Sequence, residues 1–132
     1  MSLQYLIDTD WVIHYLHAHP AIVARLDELQ PQGFALSIIS LAELYEGVCY
    51  SCDPEGDAQD LNNFLRGVTV LGLDEAIVKM FGRERGRLRA AGTLIGDLDL
   101  LIGATALHHS LTLLTNNRRH FERVTGLRME SV

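Results

Sequence analysis

Four short apolar runs punctuate the chain, at residues 3–7 (LQYLI), 34–38 (FALSI), 68–73 (VTVLGL) and 111–115 (LTLLT). Each is too short for a core helix and lacks strict polar alternation, the pattern of a strand buried on both faces. The closing GLRMESV adds a candidate edge strand. The intervening segments carry helical spacing. DTDWVIHYLHAHP offers Asp8, Thr9 or Asp10 as caps and ends at Pro20, and residues 21–29 follow as a second helix before PQG. SLAELYEGVCY places Glu43 three residues after Ser40, the capping-box spacing. The acidic SCDPEGDAQD reads as a loop leading into a helix over 60–66. DEAIVKMFGRERGRLRAAG starts acidic and ends basic with Gly92, which suits the helix dipole. GDLDLLIGATAL predicts a further helix, and NNRRHFERV a turn and a short one. Strands alternating with helices predict an α/β fold, a central parallel sheet of four to five short strands covered on both faces.

In such a sheet, ligands bind beyond the carboxyl ends of the strands, at a topological switch point. Asp8 falls just past the first strand, and Asn116 and Asn117 just past the fourth. Glu43 lies in the first turn of the helix after the second strand, while Asp97 and Asp99 open the helix that feeds the fourth. Each alone has a local role as turn residue, capping partner or N-cap. Together, three separated segments deliver carboxylates to one rim. Close carboxylates repel each other and drive up their own pKa values. A divalent cation removes that conflict, and Mg²⁺ or Mn²⁺ needs only one or two carboxylates plus substrate phosphate. The chemistry such a site supports is hydrolysis of a phosphodiester by activated water.

The net charge of −6 argues at first against a polyanionic partner. Its distribution does not: residues 79–128 hold nine basic residues against four acids, and the rest of the chain holds two against thirteen. The 132 residues fit a single domain spanning 1–132. No apolar stretch approaches the ~18 residues of a membrane span, and MSLQYLID leaves no room for a leader, so a cytoplasmic protein is expected. Cys49 and Cys52 follow a helix and have no second pair to complete a zinc site, which leaves them as small apolar filler. Six histidines are spread along the chain and read as surface or cap residues.

LIDTDWVI, SIISLAELYEG, IGDLDLLIGATAL and LTLLTNNRRHFERVTGL, in this order and spacing, resemble the PIN-domain ribonucleases of the VapC toxin type over essentially the whole length. The resemblance implies the PIN-like three-layer α/β/α fold. It assigns the fixed acids to Asp8, Glu43 and Asp99, with Asp8 and Asp99 holding Mg²⁺ (or Mn²⁺), and leaves Asp97 at a variable position. Asn117 stands where many relatives carry a fourth acid, and so becomes a hydrogen-bonding partner of water or phosphate. It further implies an endoribonuclease of a type II toxin–antitoxin module. Such an enzyme cuts transfer or ribosomal RNA to a 3′-hydroxyl and a 5′-phosphate, forms a homodimer, and is silenced by a cognate antitoxin that plugs the acidic groove.

Two other readings compete. DTDWV also echoes the nucleophile loop of haloacid-dehalogenase-like phosphatases, but that chemistry needs a lysine ahead of a later acidic pair. The only lysine, Lys79, sits within an amphipathic helix. A PIN-like module that binds RNA without cleaving it would keep the fold and lose the acids, whereas all three are intact. For substrate binding, Arg118 and Arg119 lie nearest the site, and the arginines at 83, 85, 87 and 89 form a second basic cluster that cannot all face one strand of RNA.

Overall fold

A computed structural model describes residues 3–132. Five strands, β1 (Tyr5–Ile7), β2 (Phe34–Ser37), β3 (Val68–Leu71), β4 (Thr112–Leu114) and β5 (Met129–Glu130), form one sheet in the order β3-β2-β1-β4-β5. All four neighbouring pairs are parallel. The chain builds outward from β1 to β3 on one side and then returns to add β4 and β5 on the other. The switch point therefore lies between β1 and β4, where Ile7 pairs with Leu114.

Alternation along β1 divides the core. Ile7 faces a cluster with Leu36 of β2 and with Trp11, Val12, Ile22, Leu26, Leu44 and Leu61, drawn from α1 (Thr9–Leu16), α2 (Pro20–Leu29), α3 (Ile38–Cys49) and α4 (Pro54–Leu65). Leu6 faces the opposite cluster, built from Ile102 and Ala106 of α6 (Asp97–His108) and Phe121 of α7 (Arg118–Phe121). The helix α5 (Glu75–Ala90) packs through Leu88 onto Leu100 of α6. Helices thus cover both faces of a parallel sheet, as the alternating pattern requires.

Several ends differ from the sequence expectation, each for a local reason. Ser37, not Ser40, caps α3: its Oγ accepts from Ile39 N at 3.0 Å, and the helix begins directly where β2 stops. Ser40 is buried inside the helix, so the Ser40–Glu43 spacing makes no capping box. The acidic stretch is not a loop. α4 starts at Pro54, with Asp53 Oδ1 accepting from Gly56 N and Glu55 and Asp57 in the first turn, where the helix dipole favours acids. Asp97 does not cap α6. Gly96 occupies the cap, and the Asp97 carboxylate pairs with Arg85 Nε at 2.8 Å on the surface. Gly92 does end α5: at φ 70° it lets Thr93 N donate to Leu88 O and Gly92 N to Arg89 O, closing the helix in a Schellman turn. Cys49 and Cys52 are exposed thiols at the α3–α4 junction, not packing groups.

Candidate active site

The backbone places Asp8 and Thr115 side by side, one residue beyond the paired ends of β1 and β4, and Asp8 N donates to Leu114 O at 2.9 Å. The Asp8 side chain is buried, with 4% of its surface exposed. Its Oδ1 accepts from Thr9 N at 2.8 Å, capping α1, and its Oδ2 accepts from Thr115 Oγ1 at 2.7 Å. Asn117 N donates to that same Thr115 hydroxyl at 2.9 Å.

From these two anchors the other predicted residues connect. Thr9 Oγ1 donates to Glu43 Oε1 at 2.7 Å and meets the buried Ser40 hydroxyl at 2.9 Å, which ties α3 to the start of α1. On the other side, Asn117 Nδ2 donates to Asp99 Oδ2 at 3.4 Å. Asp8, Glu43, Asp99 and Asn117 therefore belong to one hydrogen-bonded network spanning four segments. The Asn116 side chain stands outside it: its Oδ1 accepts from Trp11 Nε1 and Val132 N, each at 3.1 Å. Arg118 and Arg119 follow on α7 as exposed side chains, Arg118 Nη1 donating to Ser131 Oγ at 3.1 Å.

Two residues join the cluster without having been singled out as site residues. Asp10, on the first turn of α1, accepts from Asn116 N at 3.1 Å through Oδ2, while its Oδ1 is buried with no hydrogen-bond partner. His120 holds Nδ1 at 3.3 Å from Asp99 Oδ2, so this histidine is neither an isolated surface group nor a cap. A D-x-D pair directly after a strand was the available signal for Asp10. Lys79, by contrast, pairs with Glu75 at 3.0 Å on the exposed face of α5, outside this network, which removes the phosphatase arrangement.

The electrostatics follow from this crowding. Burial, then the charge of Asp10, pushes the Asp8 carboxyl up to about 7; the Thr115 and Thr9 hydrogen bonds pull it down, and the Asp99 charge raises it again. Asp10 is raised as well, chiefly by burial. A group with a folded pKa near 7 and an ordinary value of 3.8 is protonated in both states below that ordinary value. Between the two values only the folded state keeps the proton, so this contribution to stability falls as pH rises and levels off above about 7. In cation-free protein, Asp8→Asn is expected to gain stability over wild type across that window, by up to roughly 4 kcal/mol. Urea unfolding of both proteins from pH 5 to pH 8 checks this, and parallel curves would contradict it.

A rim of carboxylates, Asp8 buried and the others half-buried, at the switch point of a five-stranded parallel sheet defines a class. Residues 5–127 match the PIN domain, and the chain belongs to the PIN-domain family. Its particular kin are VapC proteins. It is 34% identical over 129 residues to ribonuclease VapC2 of Haemophilus influenzae, covering 98% of each chain. It is 33% identical over 128 residues to the tRNA(fMet)-specific endonuclease VapC of Shigella flexneri, covering 97% of each. In space it matches VapBC2 from Rickettsia felis, crystallised bound to a DNA fragment from their promoter, with a TM-score of 0.92, 30% identity, and coverage of 98% of this chain and 99% of that one. DNA-bound VapBC from Salmonella typhimurium gives 0.91 at 31% identity, covering 98% of both chains.

Proposed function

We propose that the protein is a divalent-metal-dependent endoribonuclease, the toxin of a toxin–antitoxin pair, acting at the Asp8–Glu43–Asp99 cluster. The observation that carries this reading is the buried Asp8 carboxyl, held at the switch point within a network that also contains Glu43 and Asp99. A cation fits what the residues lack. Asp8 is raised toward neutrality, and Asp10 Oδ1 is buried without a partner. Mg²⁺ keeps waters and needs only one or two carboxylates plus substrate oxygens.

Asp8 and Asp99 would hold the ion. When bound, it supplies the positive charge and Lewis acidity that activate water against a phosphodiester. The remaining roles belong to the protein's own groups. Thr9 and Thr115 fix Asp8 by donating to both of its oxygens. Glu43, aimed by the Thr9 hydroxyl, takes up a proton from the attacking water. Asn117, anchored through its backbone N–H to Thr115, offers its side-chain amide to water or phosphate. Arg118 and Arg119 draw the RNA backbone toward the rim.

The Haemophilus relative is named a ribonuclease and the Shigella relative a tRNA(fMet)-specific endonuclease, which makes RNA, and tRNA first, the substrate class to test. The VapBC neighbours support a cognate antitoxin as partner, and the family resemblance implies a second copy of the chain. A groove of about 290 Å³ reaches Glu43, with Ile13, Leu16, Leu44 and Val48 along its floor and Asp57 and Asp60 beside them. An amphipathic antitoxin segment with a basic residue complements it. No helix among the described residues is long and apolar enough to cross a membrane.

The test is incubation of a total RNA pool with the protein in Mg²⁺ and in EDTA, with the product ends mapped. Discrete cuts bearing 5′-phosphates, in Mg²⁺ alone, are expected; equal cutting in EDTA would end the proposal. In separate RNA-binding titrations in EDTA across a range of salt, Arg118→Ala with Arg119→Ala is expected to lower the salt slope of binding by about 2. An unchanged slope would exclude these two as the backbone contacts.

A further inference from the structure

His120 is held in place by its neighbour. Phe121 is fully buried against α6, its ring lying beside Gly103. This fixes the short helix α7 and turns the His120 ring toward the acidic rim. Its Nδ1 lies 3.3 Å from Asp99 Oδ2 and 3.1 Å from Asn117 Nδ2, yet the side chain remains 45% exposed.

One nitrogen cannot serve both neighbours at once. If Nδ1 accepts from the Asn117 amide, its lone pair stands beside the Asp99 oxygen to which the same amide donates, and a bound cation between the two would take the place of that shared neutral donor. Two donor atoms about 3 Å apart are spaced as adjacent ligands on one small ion, given ligand distances of roughly 2.0–2.2 Å. Oxygen donors suit Mg²⁺, while an imidazole nitrogen adds affinity for ions further along the transition series. Asp8, Asp10 and Glu43 supply only oxygen, so His120 is the one nitrogen ligand type found in the network among the described residues.

We propose that His120 Nδ1 ligates the active-site ion beside Asp99 and makes this site prefer Mn²⁺ and later transition ions over Mg²⁺. The inference rests on the metal-dependent reading of the site and deepens it.

The experiment measures Mn²⁺ and Mg²⁺ binding to the untagged, RNA-free chain by calorimetry, with pulsed electron paramagnetic resonance on the Mn²⁺ form. Wild type is expected to show a directly bound nitrogen that His120→Ala and His120→Gln lack. Both variants are expected to lose about 10-fold or more in Mn²⁺ affinity and to keep their Mg²⁺ affinity within about twofold, as an oxygen-preferring ion requires. Mn²⁺ bound by wild type without nitrogen coupling, and equally by the variants, would overturn the proposal and leave the metal-dependent reading standing. Mn²⁺ binding that Asp99→Asn does not weaken would overturn both.

Discussion

Asp99→Asn is expected to lower RNA cleavage by on the order of 10³-fold, with the fold intact. The substitution keeps the shape of the side chain and removes the charge that, with Asp8, would hold the ion, an electrostatic contribution worth several kcal/mol in the transition state. Asp99 is half-buried on α6 and contacts only Asn117 and His120 through Oδ2, so little of the core depends on it. Asp8→Asn and Glu43→Gln are expected to fall to the same order. Asp97→Asn is the informative control. Two residues away, its carboxylate points to Arg85 on the surface, and activity close to wild type is expected. Initial rates on a tRNA pool in Mg²⁺ measure all four. A silent Asp97→Asn beside an active Asp99→Asn would reverse the assignment.

Trp11→Ala carries the largest expected loss of stability, about 3–5 kcal/mol. Trp11 is fully buried in the first turn of α1, within the cluster containing Ile7, Val12 and Leu114, and its indole N–H donates to Asn116 Oδ1 across the switch point. Truncation leaves a cavity beneath the helix that carries Asp10 and frees the Asn116–Asn117 segment. Trp11→Phe keeps most of the packing and loses the hydrogen bond. Because Asn116 is exposed, water can replace the missing donor, and a cost nearer 1–2 kcal/mol is expected. Midpoints of urea unfolding separate the two variants. Equal midpoints would show that the hydrogen bond, not the packing, holds this corner.

The layered sheet and the rim of acids were legible because both depend on local pattern. Short apolar runs gave the strands, and acids after strands or near helix starts gave Asp8, Glu43 (in the second turn of α3, not the first as expected) and the Asp97–Asp99 pair, from which the family resemblance picked Asp99. Caps were less legible where two readings shared one spacing. Ser40–Glu43 has the capping-box form, but pairing of Ser37 with Leu71 carries β2 up to Ser37 and starts the helix there. Asp97 and Asp99 could not be separated by spacing, since the choice depends on Arg85, twelve residues back on another helix. The roles of Thr9, Thr115 and His120 were not legible at all. Their partners lie 34, 107 and 21 residues away, so only the closed fold brings Thr9 to Glu43, Thr115 to Asp8 and His120 to Asp99.

The most direct measurement is the thermal unfolding of cation-free wild type at pH 7.5 as Mg²⁺ is added, beside Asp8→Asn and Asp99→Asn. An ion that binds only the folded state adds about 2.7 kcal/mol at one hundred times its dissociation constant, so the wild-type midpoint should climb by several degrees while both variants stay flat. A wild-type midpoint that ignores Mg²⁺, or variants that climb alongside it, would contradict a cation site built from these carboxylates.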